Sequence, residues 1–179
     1  VYQNRIAAEQ RHAEASGDLD KAGFEAGLAD VLEGVKSWHK NIMAKLEKPF
    51  TENEISERRR FALAKVYNRI PWEPATNFAE AMAFYNFVFY LDYCDNPGRI
   101  DQVLNPYYED DLAKGLIDRE TARLYFDEFT DLCCLNDSWS SALGGTAADG
   151  SYAYNDLTII CLEAVRSRHR PNYQLRIHP

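Results

Sequence analysis

The sequence is poor in the features that announce many functional classes. Only four cysteines (Cys94, Cys133, Cys134 and Cys161) stand among 179 residues. None forms a C-x-x-C pair, and the four histidines (His12, His39, His169, His178) hold no ligand spacing toward them. This argues against a disulfide framework and a metal site, and it reads as reduced thiols in a cytoplasmic protein. Long hydrophobic runs are missing too. The longest apolar stretch, residues 81–91, is interrupted by Asn86 and covers about half a membrane span. No charged-then-apolar leader opens the chain, so nothing marks it for secretion or a membrane. Positive charge is scarce, with 20 Lys and Arg against 28 Asp and Glu, a net charge of −8. A duplex-binding protein normally carries a basic face, so nucleic acid is not an expected partner. No G-x-G-x-x-G or Walker pattern offers a phosphate cradle.

What is there suits a packed core. Apolar residues make up 46% and include 11 Tyr and 9 Phe, enough for one domain at this length. Residues 1–17 read as a short polar helix. Phe24, Leu28, Val31, Val35, Trp38, Ile42 and Leu46 then draw a stripe along a long helix that Pro49 ends. Thr51 and Glu54 form a capping box for a helix through Ile55, Ala62, Val66, Tyr67 and Ile70. Asn77 with Glu80 opens a helix over 78–91, apolar nearly all round and so expected to be buried on every side. Asn105-Pro106 predicts the start of a short helix, closed by Gly115. Asp118 caps another, whose inner face is Ala122, Tyr125, Phe129 and Leu132.

After residue 136 the texture changes. Residues 138–143 predict a strand broken by Gly144-Gly145, Asp149-Gly150 a turn, and 155–168 a helix. Arg166, Arg168, His169 and Arg170 gather at that helix's C-terminal end, where its dipole favours cations. Tyr173, Leu175 and Ile177 alternate with polar neighbours as a strand does. The order is about six helices, then a βαβ unit with two parallel strands. Parallel strands are stable inside larger, covered sheets, so the sequence is expected to be the front part of a larger fold.

Ligands of parallel α/β folds gather at the C-terminal ends of the strands. Two pieces arrive there: Gly144-Gly145 with the loop to Ser151, and the end Arg176-Ile177-His178. The glycines allow close backbone approach to a ligand or make a tight turn, the turn being slightly favoured. His178 serves as an acid, base or donor, or simply packs. Cys133-Cys134 lie in the last turn of a helix, one facing the core and one the flank. Arg58-Arg59-Arg60 reads as a solvated face paired with Glu54 and Glu57. Trp38, Trp72 and Trp139 are assigned to the core. The 92–99 loop concentrates Asp92, Tyr93, Cys94 and Asp95 behind a well-fixed helix and is a candidate site.

Three segments also resemble a known family. Asn96-Pro97-Gly98-Arg99-Ile100-Asp101-Gln102-Val103-Leu104-Asn105-Pro106-Tyr107-Tyr108, followed by Asp110-Asp111-Leu112, is similar to the G-R-F-D-Q-Y-x-Y-P-Y-Y-x-x-D-L stretch of glycyl radical enzymes, the pyruvate formate-lyase-like dehydratases and lyases. Leu143-Gly144-Gly145, Asp149-Gly150 and Asn155-Asp156-Leu157-Thr158 resemble the family's second motif. Residues 170–179, Arg-Pro-Asn-Tyr-Gln-Leu-Arg-Ile-His-Pro, resemble its P-N-L-S-V-R-x-H-P. Residues 38–91, with Arg69-Ile70-Pro71 and Ala79-Glu80-Ala81, fit its pre-barrel region, so the resemblance covers roughly residues 30–179.

The resemblance implies an α/β fold: a helix-rich part, residues 1–135, before the β-α-β start, residues 136–179, of a ten-stranded barrel that is incomplete here. It implies radical cleavage of a C–C, C–O, C–N or C–S bond in a small-molecule substrate, without a metal. The radical sits on a glycine, is installed by a radical S-adenosylmethionine activating enzyme, and passes to a finger-loop cysteine. Both radical residues belong beyond the third motif, so the chain alone is expected to be inactive. The missing barrel portion or a partner chain, and a homodimer of the full enzyme, are implied as partners. Tyr93, Cys94 and His178 are the substrate-lining candidates. Gly144, Gly145, Asn155, Asp156 and Arg176 are expected to brace the site. Dehydratases often carry His-Ser where Tyr93-Cys94 stand, which points to a substrate other than a simple diol. Two rivals stay open: a catalytically silent partner chain, and a non-radical enzyme pairing His178 with an acid such as Asp149.

Overall fold

The computed structural model describes residues 2–49, 54–93 and 95–177. The side chains of the expected Thr51–Glu54 capping box fall outside them. The described residues form two compact units, divided between Asn68 and Arg69. No helix among them is long and apolar enough to cross a membrane.

The first unit holds α1 (Tyr2–Ser16), α2 (Leu19–Leu46) and α3 (Glu54–Tyr67). Gly17, at φ +74°, ends α1, and the Asp18 amide closes back on the Ala13 carbonyl at 2.9 Å. Asp18 then starts α2 by accepting the Lys21 amide at 3.0 Å. This tight connection sets which face of α2 meets α1. Ala22 and Glu25 take the buried positions, while Phe24 and Val31 of the expected stripe are 65% and 62% exposed. The lower stripe holds: Val35, Trp38 and Ile42 are half-buried and Leu46 is buried. The arginine cluster departs from a wholly solvated face. Arg60 is buried, pairs with Glu57 at 2.8 Å as the spacing predicts, and donates to the Leu46 carbonyl at the end of α2.

The second unit holds α4 (Phe78–Leu91), α5 (Ile100–Ala113), α6 (Arg119–Leu135), β1 (Ser140–Gly144), α7 (Asp156–Val165) and β2 (Asn172–Arg176). Three helices begin on side-chain caps legible in the sequence: Asn77 takes the Glu80 amide, Asp118 the Thr121 amide and Asn155 the Thr158 amide. The first amide of α4 also donates to buried Asp111 of α5 at 2.8 Å, placing a carboxylate at a helix N-terminus.

Phe78, Ile100, Leu104, Tyr108, Phe126, Leu143, Leu157 and Ile160 form the centre of one core. Phe78 stacks on Tyr125 at 6.0 Å, and Phe89 meets Phe129 at 5.2 Å. Helix α4 is buried along one side rather than on every side, since Phe84, Val88 and Leu91 are 40–46% exposed. The inner face of α6 runs through Ala122, Phe126, Phe129, Thr130 and Cys133, with Tyr125 and Leu132 at its margin. Helix α5 begins at Ile100, so Pro106 sits inside it instead of opening it. The start is moved upstream by anchoring of Asp101, described below, which outweighs the amide that proline lacks. Trp72 and Trp139 are 48% and 68% exposed rather than core.

The two strands pair directly and in parallel, Ser140 opposite Asn172 through Gly144 opposite Arg176. Ser141 and Leu143 are buried beneath the helices, and Tyr173 packs against the same core. Along the other edge of β1 run residues 95–98. The Trp139 amide donates to the Asp95 carbonyl at 2.8 Å, and Gly98 bridges Ser141 in parallel. Arg168 ties α7 to α6 through Asp131 at 2.6 Å and Asp127 at 3.3 Å, and donates to the Ala164 carbonyl. The basic cluster thus serves both helix end and neighbour.

Glu80 offers a pH test. Burial alone would raise its carboxyl, but the Thr76 amide and hydroxyl and the Arg69 guanidinium outweigh burial and hold it below the usual range. A carboxyl depressed in the folded state stabilises above its unfolded value, about 4.3, and that contribution is lost as pH falls through the folded value. Comparing denaturation of wild type and Glu80→Gln from pH 7 to pH 3 should show a wild-type advantage at neutral pH that shrinks in acid. A difference independent of pH would contradict this assignment.

Candidate functional site

The C-terminal end of β1 is organised by one buried carboxylate. Asp101, in the first turn of α5, is fully buried. Its Oδ2 accepts the Gly144 amide at 2.8 Å, the Thr158 hydroxyl at 2.7 Å and the Gln102 amide side chain at 3.0 Å. A buried charge is costly unless hydrogen-bonded, so these donors, drawn from β1, α7 and α5, keep it tolerable. Asn155 donates to the Asp101 carbonyl at 3.1 Å while capping α7, and the Thr158 hydroxyl accepts the Asn155 amide, completing a capping box. Gln102 also reaches the Ala153 carbonyl, and the Ser141 hydroxyl reaches the Gly98 carbonyl.

Arg99, just before α5, donates to the Gly144 carbonyl at 2.5 Å. Both peptide groups of Gly144 are therefore held by the Arg99–Asp101 segment. Gly144 has φ +64° and Gly145 φ +100°, a geometry that favours glycine at both positions. A Cβ on Gly144 would stand 3.2 Å from the Arg176 carbonyl. One on Gly145 would meet Arg176 Cβ at 3.4 Å and Arg99 Nη2 at 3.7 Å. The two glycines thus make a tight turn beside the side chains of Arg99 and Arg176.

The structure brings Gly144, Gly145, Asn155 and Arg176 together here. Asp156 faces the other way: it accepts the Tyr108 hydroxyl at 2.6 Å and Arg119 at 3.1 Å. Burial first, then the Asp156 carboxylate, pushes the Tyr108 phenol above its ordinary range. Tyr93 is 94% exposed, at φ +59°, and precedes Asp95, which meets the start of β1. It therefore belongs toward the opposite end of β1 from Gly144. Cys94 and His178 lie outside the described residues. Asp149, the acid considered for His178, accepts the Ser151 amide and hydroxyl in its own turn.

The 92–99 loop does line a groove. Tyr85, Val88, Leu91, Asp92, Asn96 and Pro97 are among its walls, around a volume of about 440 Å³. Cys133 and Cys161 are buried, and burial above all pushes the Cys161 thiol well up. Cys134 is half-buried and donates to the Arg170 carbonyl at 3.4 Å, so the pair divides between core and flank as the sequence predicts. Among the described residues no group of three His, Cys, Asp or Glu is placed to hold a metal.

A family model described as pyruvate formate lyase-like matches residues 2–179. The chain belongs to that family. A solved glycyl radical enzyme from Archaeoglobus fulgidus superimposes with a TM-score of 0.85 at 25% identity, over 98% of this chain and 26% of that one. The 4-hydroxyphenylacetate decarboxylase glycyl radical subunit of Clostridioides difficile is 27% identical over 179 aligned residues, covering 84% of this chain and 20% of that protein. The isethionate sulfite-lyase of Desulfovibrio desulfuricans is 27% identical over 193, covering 92% and 23%. The chain spans a fifth to a quarter of the length of these pyruvate formate lyase-like relatives.

Asp101, Arg99, Gln102 and Thr158 have no role legible in the sequence by itself, although all four lie in the family motifs. The available signal was an aspartate and a glutamine enclosed by Ile100, Val103 and Leu104 at a helix start.

Removing the carboxylate takes the shared acceptor from three donors. Asp101→Ala should lower stability by about 3 kcal/mol, from lost charge-assisted bonds and an unsatisfied Gly144 amide. The exposed Asp149→Ala should change it by less than about 0.5 kcal/mol. Urea denaturation checks both, and an Asp101→Ala midpoint within error of wild type would refute the assignment. Gly144→Ala should cost about 1–2 kcal/mol from left-handed strain alone, measured the same way.

Proposed function

We propose that this chain works as one portion of a glycyl radical enzyme, cleaving a C–C, C–O, C–N or C–S bond of a small metabolite. The observation that carries this reading is the family match over residues 2–179, with the family's Gly-Arg and Gly-Gly motifs joined at one site through Arg99, Asp101 and Gly144. Within such an enzyme the segment supplies a helix-rich pre-barrel part, residues 1–135, and the β-α-β start of a barrel, residues 136–179. Its own residues perform positioning. Asp101 and Arg99 fix the strand end, Asn155 and Thr158 hold the start of α7 to it, and Tyr108 and Arg119 hold Asp156. Gly144, Gly145 and Asn155 brace the strand end beside Arg176, Asp156 braces α7 from its other side, and Tyr93, Cys94 and His178 are proposed to face the substrate, Tyr93 from toward the opposite end of β1.

The radical is supplied by a glycine outside the motifs carried here, after activation by a radical S-adenosylmethionine enzyme. The working enzyme is proposed to be a cytoplasmic homodimer. The described cysteines support no thiol-radical role in this chain, being buried at Cys133 and Cys161 and hydrogen-bonded at Cys134.

The test is anaerobic activation of the full open reading frame that contains this segment, read by electron paramagnetic resonance. A glycyl radical signal and turnover of a substrate from a panel of small hydroxy acids, sulfonates and arylacetates are expected. The 179-residue chain alone should give neither. Failure of the full frame to acquire the signal, while a relative is activated in parallel, would overturn the reading.

A further inference from the structure

The chain carries a net charge of −8, and six of its 13 arginines pair with carboxylates among the described residues. Arg60, Arg69, Arg119, Arg123, Arg168 and Arg170 each form an ion pair with an Asp or Glu side chain. Two arginines at the strand ends differ. Arg99 spends one N–H on the Gly144 carbonyl and has no carboxylate partner among the described residues. Arg176 is exposed, and its guanidinium has neither an ion pair nor a hydrogen bond among the described residues. Both reach the same place. Arg99 Nη2 and Arg176 Cδ lie 3.7 and 3.8 Å from the point where a Cβ of Gly145 would stand. The nearby carboxylate, Asp101, is turned inward and occupied by the Gly144 amide, Thr158 and Gln102.

The Nη2 of Arg99 and the Cδ of Arg176 thus flank one point at the strand end, with no carboxylate paired to either arginine among the described residues. Neighbouring guanidiniums repel, and bringing an anion between them relieves that repulsion while offering forked donors to its oxygens. The position is where ligands of parallel sheets gather. The wall beside it is apolar: Leu175 Cδ1 and Tyr154 Cβ each lie 3.6 Å from the Cβ position of Gly144.

We propose that Arg99 and Arg176 form a binding site for a carboxylate or sulfonate group at the C-terminal end of β1 and β2. Arg176 is the adjustable arm, and Arg99 is the fixed arm, pinned to Gly144. Gly145 stands between the two arms at φ +100°, a backbone conformation that favours glycine. Calling this anion the substrate's own group rests on the proposed function, whereas the binding site itself does not.

The experiment is an NMR titration of the isotope-labelled 179-residue chain at low, constant salt, with acetate, methanesulfonate and the neutral isostere acetamide. Saturable shifts of the Gly145 and Arg176 amides are expected with both anions and not with acetamide. Arg176→Gln should weaken anion binding about tenfold, and Arg176→Lys should restore part of it. Arg176 makes no side-chain hydrogen bond among the described residues, so this variant should fold, and its undisturbed core resonances would confirm that. Linear, unsaturable shifts, equal shifts with acetamide, or anion binding unchanged in Arg176→Gln would overturn the proposal. Anion binding without a glycyl radical in the full enzyme would instead count against the radical reading alone.

Discussion

A carboxylate sealed inside a protein has to be answered by donors, and at Asp101 the answer organises the second unit. Its Oδ2 is reached by groups from α5, β1 and α7. Because the desolvated charge cannot be left without them, the three elements are held in one arrangement. The start of α5 is drawn up to Ile100, the end of β1 is clamped at Gly144, and the first turn of α7 is fixed through Thr158 and Asn155. The apolar core around Phe78, Tyr108, Phe126 and Leu157 supplies most of the burial, but it is less directional. The carboxylate decides where the strand end sits.

Local signals in the sequence carried a long way. Asn77, Asp118 and Asn155 mark helix starts because a cap needs only an oxygen and an amide three residues on. The apolar–polar alternation of residues 173–177 and the Gly-Gly break gave two parallel strands, which pair directly. The three motifs pointed to the family to which the chain belongs.

The misses share a cause. Pro106 reads as a helix start locally, and only the anchoring of Asp101 to Gly144 and Thr158, 43 and 57 residues away, carries the helix back to Ile100. Phe24 and Val31 keep a perfect helical spacing, yet the turn at Gly17 and Asp18 presents Ala22 and Glu25 instead. Arg60 looks like one member of a solvated run until the Leu46 carbonyl claims it. Trp139 is apolar enough for a core, but its amide follows residues 95–98 along the edge of β1 and leaves the ring exposed. At the site, glycines and strand ends were legible from pattern. The carboxylate holding them was not, because burial of a charge is decided by partners distant in sequence.

The most direct test of this account is native-state hydrogen exchange at the Gly144 amide. If Asp101 clamps the strand end, that amide exchanges only when the second unit unfolds as a whole, at the same free energy as the amides of Phe126 and Ile160 in the core. Exchange at the rate of the exposed turn around Asp149 and Gly150, while the core stays protected, would mean that the carboxylate does not hold the strand and would contradict the account.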